Sequence, residues 1–418
     1  MKVRITPGYA EGNIQVPPSK SILHRAIICA SLAKGSSTIR NIIFSDDVKA
    51  TINAFKALGV QIIKEENALK IKGYGNLSFF GEELIDCNES GSTIRFLIPL
   101  FCNKNGIRFT GKSSLLNRPM YIYEKIFKEK NLRYKKQDGY IYVEGEIKAG
   151  DYVIPGNVSS QFITGLLFTL PLKDGDSKII IEGNLESKKY IDMTIEVLKQ
   201  FGIDIIENQN IYYIKGNQKY LPSSYKVEGD FSQLAFFAVA GIINGNVKVT
   251  NINLDSNQAD IAIIDIIKTM GGKISKEKNG LRFLKSETTN IDIDVSQHPD
   301  IAPILSILCA MSKNKGYIYN AQRLKIKETD RLKAINVVLN ELGIKTEINN
   351  DSYYIYGNSI FRSAEIDSHN DHRIVMSAAI AALRADKSII INNYEAVNKS
   401  YPHFFEDLSS LGIKVEYI

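Results

Sequence analysis

The sequence is poor in cysteine and has no pattern that would put its cysteines to use. Only Cys29, Cys87, Cys102 and Cys309 occur. They are dispersed and mostly sit in apolar runs, as reduced, buried thiols do, so no disulfide framework is expected. There is no C-x-x-C pair and no H-E-x-x-H, and the five histidines are scattered, so no metal site is expected. No apolar run approaches the roughly 18 residues of a membrane helix. The opening segment, MKVRITPGYAEG, lacks the apolar core of a signal peptide. Together these absences point to the cytoplasm. A dense basic stretch with interleaved aromatics is missing too, although the net charge is +6. The nearest candidate, Lys125 to Lys136, alternates with acids and apolar residues and reads as a solvated helix face followed by a strand. Neither nucleic acid nor membrane is expected as a partner. Small anions suit the mild positive balance.

One motif is present in letters and absent in context. Residues 106–113, GIRFTGKS, match the phosphate-loop pattern G-x-x-x-x-G-K-[ST]. That loop needs a strand before it and a helix after it. Here FLIPLFC continues a helix, IRFT reads as a strand, and SSLLNRPM has no clear helical stripe. An ATP-binding loop is therefore not expected.

What the chain does have is a repeat. With 418 residues, 44% hydrophobic and 23% charged, it is too long for one core, so two domains are expected. Six segments show a helix end, a turn residue and a β-like run, with turn residues Gly59, Asn131, Gly202, Gly271, Gly343 and Gly412 spaced 69 to 72 apart. Glycine or asparagine just past a helix end tolerates a left-handed backbone, so these read as C-terminal caps. A second short strand follows most of them, but the last copy stops at Ile418 without room for one. Six polar turns, marked by Ser21, Ser92, Ser160, Ser232, Asp300 and Asp371, each lead into an apolar helix at spacings of 68 to 72. Ser and Asp suit N-caps, and helices apolar nearly all round are buried. A buried helix favours an anion at its N-terminus, so six such mouths in two threefold sets can serve phosphates and carboxylates. The alternative is that the repeat is architecture alone, with every N-terminus capped internally.

The turns carry more than caps. In PPSKSILHR (17–25) the helix is expected to begin near Ser21, with Lys20 at its mouth and Arg25 one turn on. In KETDR (327–331) Lys327 and Arg331 are four apart, one side of a helix, with Glu328 and Asp330 beside them. In isolation KETDR reads first as a salt-bridged helix start. DHR (371–373) places His372 and Arg373 at another helix mouth, to bind an anion or move a proton, or as exposed neighbours of a capping Asp. Asp300, in HPDIAPIL, is a cap or a base.

In order, PPSKS…R, SGST…R, NRP, SSQ, a Ser-Lys-x-Tyr segment, PD, KETDR, DHR and a late lysine span almost the whole chain. This ordered set resembles the 5-enolpyruvylshikimate-3-phosphate synthases, a family of enolpyruvyl transferases. The resemblance implies an α/β fold, a two-domain inside-out α/β barrel built from six βαβαββ repeats. One domain would be residues 1–18 with 229–418 and the other 19–228, with the active site in the cleft between them and a hinge that closes on the ligands. It implies transfer of the enolpyruvyl group of phosphoenolpyruvate to the 5-hydroxyl of shikimate 3-phosphate, and competition by glyphosate. Lys20, Ser21, Arg25, Ser159, Ser160, Gln161, Ser187 and Tyr190 would hold shikimate 3-phosphate, together with Asp300 and Lys327. Lys20, Gly91, Arg118, Gln161, Arg331, His372, Arg373 and Lys399 would hold phosphoenolpyruvate. Asp300, Lys327, Glu328 and Lys20 would be catalytic, in a monomer that uses neither metal nor bound cofactor. Two positions depart from the family pattern: Glu89 stands where many members have Asn, and Arg323 where some place a substrate-contacting Asn. The related UDP-N-acetylglucosamine transferases typically use a mobile-loop Cys, and none lies between Cys102 and Cys309. A repeat-built RNA-binding protein is a remote alternative resting only on the positive charge.

Overall fold

The structure, a computed structural model, describes residues 1–75, 83–357 and 360–418. Contacts divide the chain into two compact units, Met1–Pro17 with Gly229–Ile418, and Pro18–Glu228. Each has its own hydrophobic core, and the two cores share no residue. No helix among the described residues is long and apolar enough to cross a membrane.

Each unit contains three four-stranded sheets of one topology. In the sheet of Glu83–Asp86, Ile107–Thr110, Arg133–Gln137 and Tyr140–Glu144, the first two strands are parallel and the rest antiparallel. The parallel step crosses over through the buried helix Gly91–Phe101, and Tyr121–Glu129 connects onward, which is the βαβαββ order. The sheet containing Asp151–Pro155 and that containing Asp292–Asp294 repeat this order without interruption. The other three sheets borrow a strand. Lys2–Ile5 pairs with Ile389–Asn392 and Val415–Tyr417, so the first strand of the chain completes the last repeat. That strand takes the place of the second short strand that follows the other turn residues. Ala10–Gln15 joins Gly245–Thr250, and Ser224–Lys226 joins Lys34–Arg40.

All six turn residues have positive φ, between 55° and 91°, as a left-handed helix stop requires. The helix starts differ from the expected markers. The caps are Ser19, Ser90, Ser159 and Asp230, one or two residues ahead of Ser21, Ser92, Ser160 and Ser232. The reason is reach: a cap oxygen must bend back onto amides two or three residues ahead from an extended backbone. Ser19, at φ −60° and ψ 113°, does so onto the Ile22 amide, and the helix starts at Lys20. Asp371 is a cap, accepting from the Arg373 amide. Asp300 is not: it lies in a short 3-10 turn, Pro299–Ile301, before the helix Ala302–Met311. Lys327 is outside any helix as well. Asp330 caps the helix Arg331–Glu341 through the Lys333 amide, so Lys327 and Arg331 do not share a helical face.

Candidate active site

In the Pro18–Glu228 unit, three buried helices begin at Lys20, Gly91 and Ser160, and hydrogen bonds tie the starts of the last two together. Gln161 joins two of them. Its Oε1 accepts from Arg95 Nη1 at 2.8 Å, and its Nε2 donates to Ser92 Oγ at 2.9 Å. Arg95 also donates to the Pro119 carbonyl, beside Arg118. A Cβ placed on Gly91 would lie 2.6 Å from Arg118 Nη1 and 3.5 Å from Arg95 Nη1. The absent side chain is therefore what lets two guanidinium groups approach this helix mouth. Lys20 Nζ reaches Asp47 Oδ2 at 2.7 Å, a partner on the helix Asp46–Ala57 that the sequence does not single out.

Arg25 plays a bracing role in this structure. It donates to Thr194 Oγ1 and to the Ser21 and Tyr190 carbonyls, and its guanidinium lies 5.2 Å from the Phe96 ring. Burial pushes its pKa down to about 10. The brace fixes the start of the helix Lys188–Gln200, which Ser187 opens with a left-handed backbone at φ 54°. Such a conformation is costly for serine and favours a constrained, specialised position. Ser159 caps its helix through the Gln161 amide, and Ser160 is buried beside it.

Glu89 receives a physical account here. Its carboxylate accepts from Lys112 Nζ at 3.2 Å and Ser114 Oγ at 2.8 Å while its own side chain is only 5% exposed. Charge beside the Gly91 mouth is thereby neutralised locally, and the turn leading to Arg118 is fastened. The phosphate-loop lysine is engaged by this carboxylate. The strand Ile107–Thr110 fills the supposed loop, and only the single turn Ser113–Leu116 follows. Glu89→Ala should remove the Ser114 bond and lower stability by about 1–2 kcal/mol, read as a lower urea midpoint with an unchanged slope.

The other unit gathers acids and bases. Asp300 Oδ1 accepts from Lys327 Nζ at 2.9 Å and Arg331 Nη1 at 3.0 Å. Arg331, 1% exposed, also donates to Glu328 at 2.6 Å and twice to Asp371, at 2.8 and 3.2 Å. Burial opposes its charge, but Asp371, Glu328 and Asp300 outweigh burial and raise its pKa. Burial also pushes the Asp300 carboxyl up, and Lys327, Arg373 and Arg331 overcome this and hold it well below the usual carboxylate range. Lys327 is lowered, chiefly by burial, with Arg323 and Arg331 adding to this against Asp300 and Glu328. Arg323 is itself buried. Arg373 donates to Ser232 Oγ and the Ser232 carbonyl. Lys399 Nζ donates to the Asn370 carbonyl at 2.5 Å, next to the Asp371 cap. His372 Nδ1 lies 3.9 Å from Asp371.

Asp371, Asp47 and Arg95 are members of these clusters that sequence reasoning missed as site residues. The sequence marks Asp371 only as a cap, and SGST…R contains Arg95 without showing what it touches. Among the described residues no group of three His, Cys, Asp or Glu side chains is arranged to hold a metal. The three carboxylates that converge do so on the guanidinium of Arg331.

Residues 5–408 match the family model described as EPSP synthase (3-phosphoshikimate 1-carboxyvinyltransferase). A 3-phosphoshikimate 1-carboxyvinyltransferase of Clostridium novyi is 46% identical, over 98% of this chain and 97% of that one. Its counterpart in Clostridium acetobutylicum is 48% identical over the same shares. The solved EPSP synthase of Acinetobacter baumannii superposes with a TM-score of 0.82 at 26% identity, covering all of both chains. The enolpyruvyl transferase NikO of Streptomyces tendae, at 15% identity and a TM-score of 0.81, shares the fold. That fold is the two-domain inside-out α/β barrel, and the chain belongs to the EPSP synthase family.

Proposed function

We infer that the chain transfers the enolpyruvyl group of phosphoenolpyruvate to the 5-hydroxyl of shikimate 3-phosphate, releasing phosphate, in the pathway to chorismate and the aromatic amino acids. The observation that carries the mechanism is the meeting of Asp300, Lys327, Glu328 and Arg331. An ionised carboxylate stands there beside a lysine whose pKa is lowered. Asp300, with Lys327, takes the proton of the attacking hydroxyl. Glu328, protonated as it loosens from Arg331, or a neighbouring acid delivers a proton to C3 of the enol, and the oxygen attacks C2. A tetrahedral adduct forms, and loss of a proton from its C3 methyl group, back to the acid that supplied it, restores the double bond as phosphate leaves. The fixed cations stabilise the anionic groups of that adduct and the leaving phosphate.

Lys20, Gly91, Arg118, Gln161, Arg331, His372, Arg373 and Lys399 are assigned to phosphoenolpyruvate, whose carboxylate and phosphate suit guanidinium and ammonium donors. Arg331 joins in only by loosening from one of its three carboxylates. Lys20, Ser21, Arg25, Ser159, Ser160, Gln161, Ser187, Tyr190, Asp300 and Lys327 are assigned to shikimate 3-phosphate. Arg25 does so largely by holding Tyr190 and the Ser21 carbonyl in place. All four cysteines are free and buried, with thiols pushed up by burial, which suits a reducing compartment such as the cytoplasm. The chain is taken to act as a monomer.

The pH profile tests the acid–base assignment. Lys327 is a main cause of the depressed Asp300 pKa, so removing it raises that pKa. The base is then lost at a higher pH as the solution is acidified. In Lys327→Met the acid limb of kcat/KM should move to higher pH, measured on the residual activity. An unmoved limb would assign the base elsewhere.

A further inference from the structure

One buried titratable group plays no part in this chemistry. His24 lies in the Lys20–Leu32 helix, and its Nδ1 is 2.7 Å from Thr51 Oγ1. Thr51 Oγ1 is 2.7 Å from Thr93 Oγ1, and Thr93 Oγ1 donates to Ser90 Oγ, also at 2.7 Å. All four side chains are fully buried. Ser90 is the cap of the Gly91–Phe101 helix and accepts the Thr93 amide as well.

Counting hydrogens fixes the direction of this chain. Each hydroxyl has one proton to donate. The Thr93 proton goes to Ser90, so the proton between Thr51 and Thr93 belongs to Thr51. Thr51 can then only accept from His24, and Nδ1 carries the hydrogen. Nε2 is left bare, and it is the ring nitrogen that is buried with no hydrogen-bond partner among the described residues. The reverse chain would end in an Nε2–H buried without an acceptor, and orphaned buried N–H groups are rare. Burial first, then Lys20 and Arg25, hold the pKa of His24 well below its ordinary value, so the ring stays neutral.

The chain also lies beside the helix mouths. Lys20 and His24 are four apart on one helix, and Asp47 and Thr51 are four apart on another, so each pair shares a helical face. The Lys20–Asp47 ion pair and the His24–Thr51 hydrogen bond are thus two rungs of one ladder. We propose that His24 is a positioning residue, held as the neutral Nδ1–H tautomer, which through Thr51 and Thr93 sets Lys20 against the Gly91 helix mouth. The tautomer stands on the hydrogen-bond chain alone. The consequence for catalysis rests on the reading of Lys20 and Gly91 as phosphoenolpyruvate contacts.

The test has two arms on the full chain. In ¹⁵N-histidine NMR, with the signal assigned by its loss in His24→Asn, His24 should show a protonated Nδ1 and a bare Nε2. An Nε2–H tautomer or an imidazolium overturns the assignment, whatever the enzyme acts on. In steady-state kinetics, His24→Asn keeps a donor near Nδ1 and should hold the KM for phosphoenolpyruvate within about twofold. His24→Leu should raise that KM about tenfold with kcat within about threefold. Equal effects of the two substitutions, or a loss confined to kcat, overturn the positioning role. Absence of turnover in the unaltered chain would count against the transferase reading and leave the tautomer to the NMR result.

Discussion

Asp300→Ala should lower kcat by about three orders of magnitude, within the span that a positioned general base contributes. The structure places this carboxylate under two cations, Lys327 and Arg331, which keep it ionised. Loss of the carboxylate removes the group proposed as proton acceptor, while the shikimate 3-phosphate contacts assigned to Ser159, Ser160 and Gln161 lie in the other unit and stay intact. Shikimate 3-phosphate, measured by calorimetry, should therefore still bind, weaker only by the one contact assigned to Asp300. A collapse of the cluster is the competing explanation for lost activity. Arg331 retains Glu328 and Asp371 in the variant, so the buried guanidinium is still paired. Asp300→Asn keeps the shape without the charge and should be nearly as inactive. Normal turnover in either variant would remove Asp300 from the chemistry.

Gly91→Ala should raise the KM for phosphoenolpyruvate by about tenfold or more while leaving the fold intact. The new Cβ would sit 2.6 Å from Arg118 Nη1, a distance that one of the two groups must relieve. Gly91 lies in the first turn of a helix, where alanine is well tolerated, so the backbone has no reason to move. The flexible end of Arg118 gives way instead, and with it a cation assigned to phosphoenolpyruvate. Initial rates with each substrate varied in turn would show the increase confined to phosphoenolpyruvate. An equal increase for both substrates would mean that the helix itself had shifted.

The repeat was legible because its signals are local. A glycine or asparagine at a helix stop is demanded by one residue's φ, and all six positions have the backbone that this implies. The caps were displaced because two adjacent polar residues both satisfy a sequence preference, and only geometry selects Ser19 over Ser21 or Ser90 over Ser92. KETDR misled for a similar reason: Asp330 outcompetes the earlier residues as cap, so Lys327 reaches Asp300 from an extended segment. The borrowed strands lay beyond local reading altogether. Nothing around Lys2–Ile5 announces pairing with residues 389–392 and 415–417, because register across such a separation is set by the packed sheet. Glu89 stood out in the sequence as a break in a pattern. Its partners, Lys112 and Ser114, lie in the segment whose phosphate-loop letters drew attention for another reason.

The most direct measurement is phosphate release by the purified chain given phosphoenolpyruvate with shikimate 3-phosphate, and separately with UDP-N-acetylglucosamine. Phosphate should appear with shikimate 3-phosphate alone, together with an acceptor heavier by one enolpyruvyl group in the mass spectrum. Release with UDP-N-acetylglucosamine only, or with neither acceptor, would contradict the assignment.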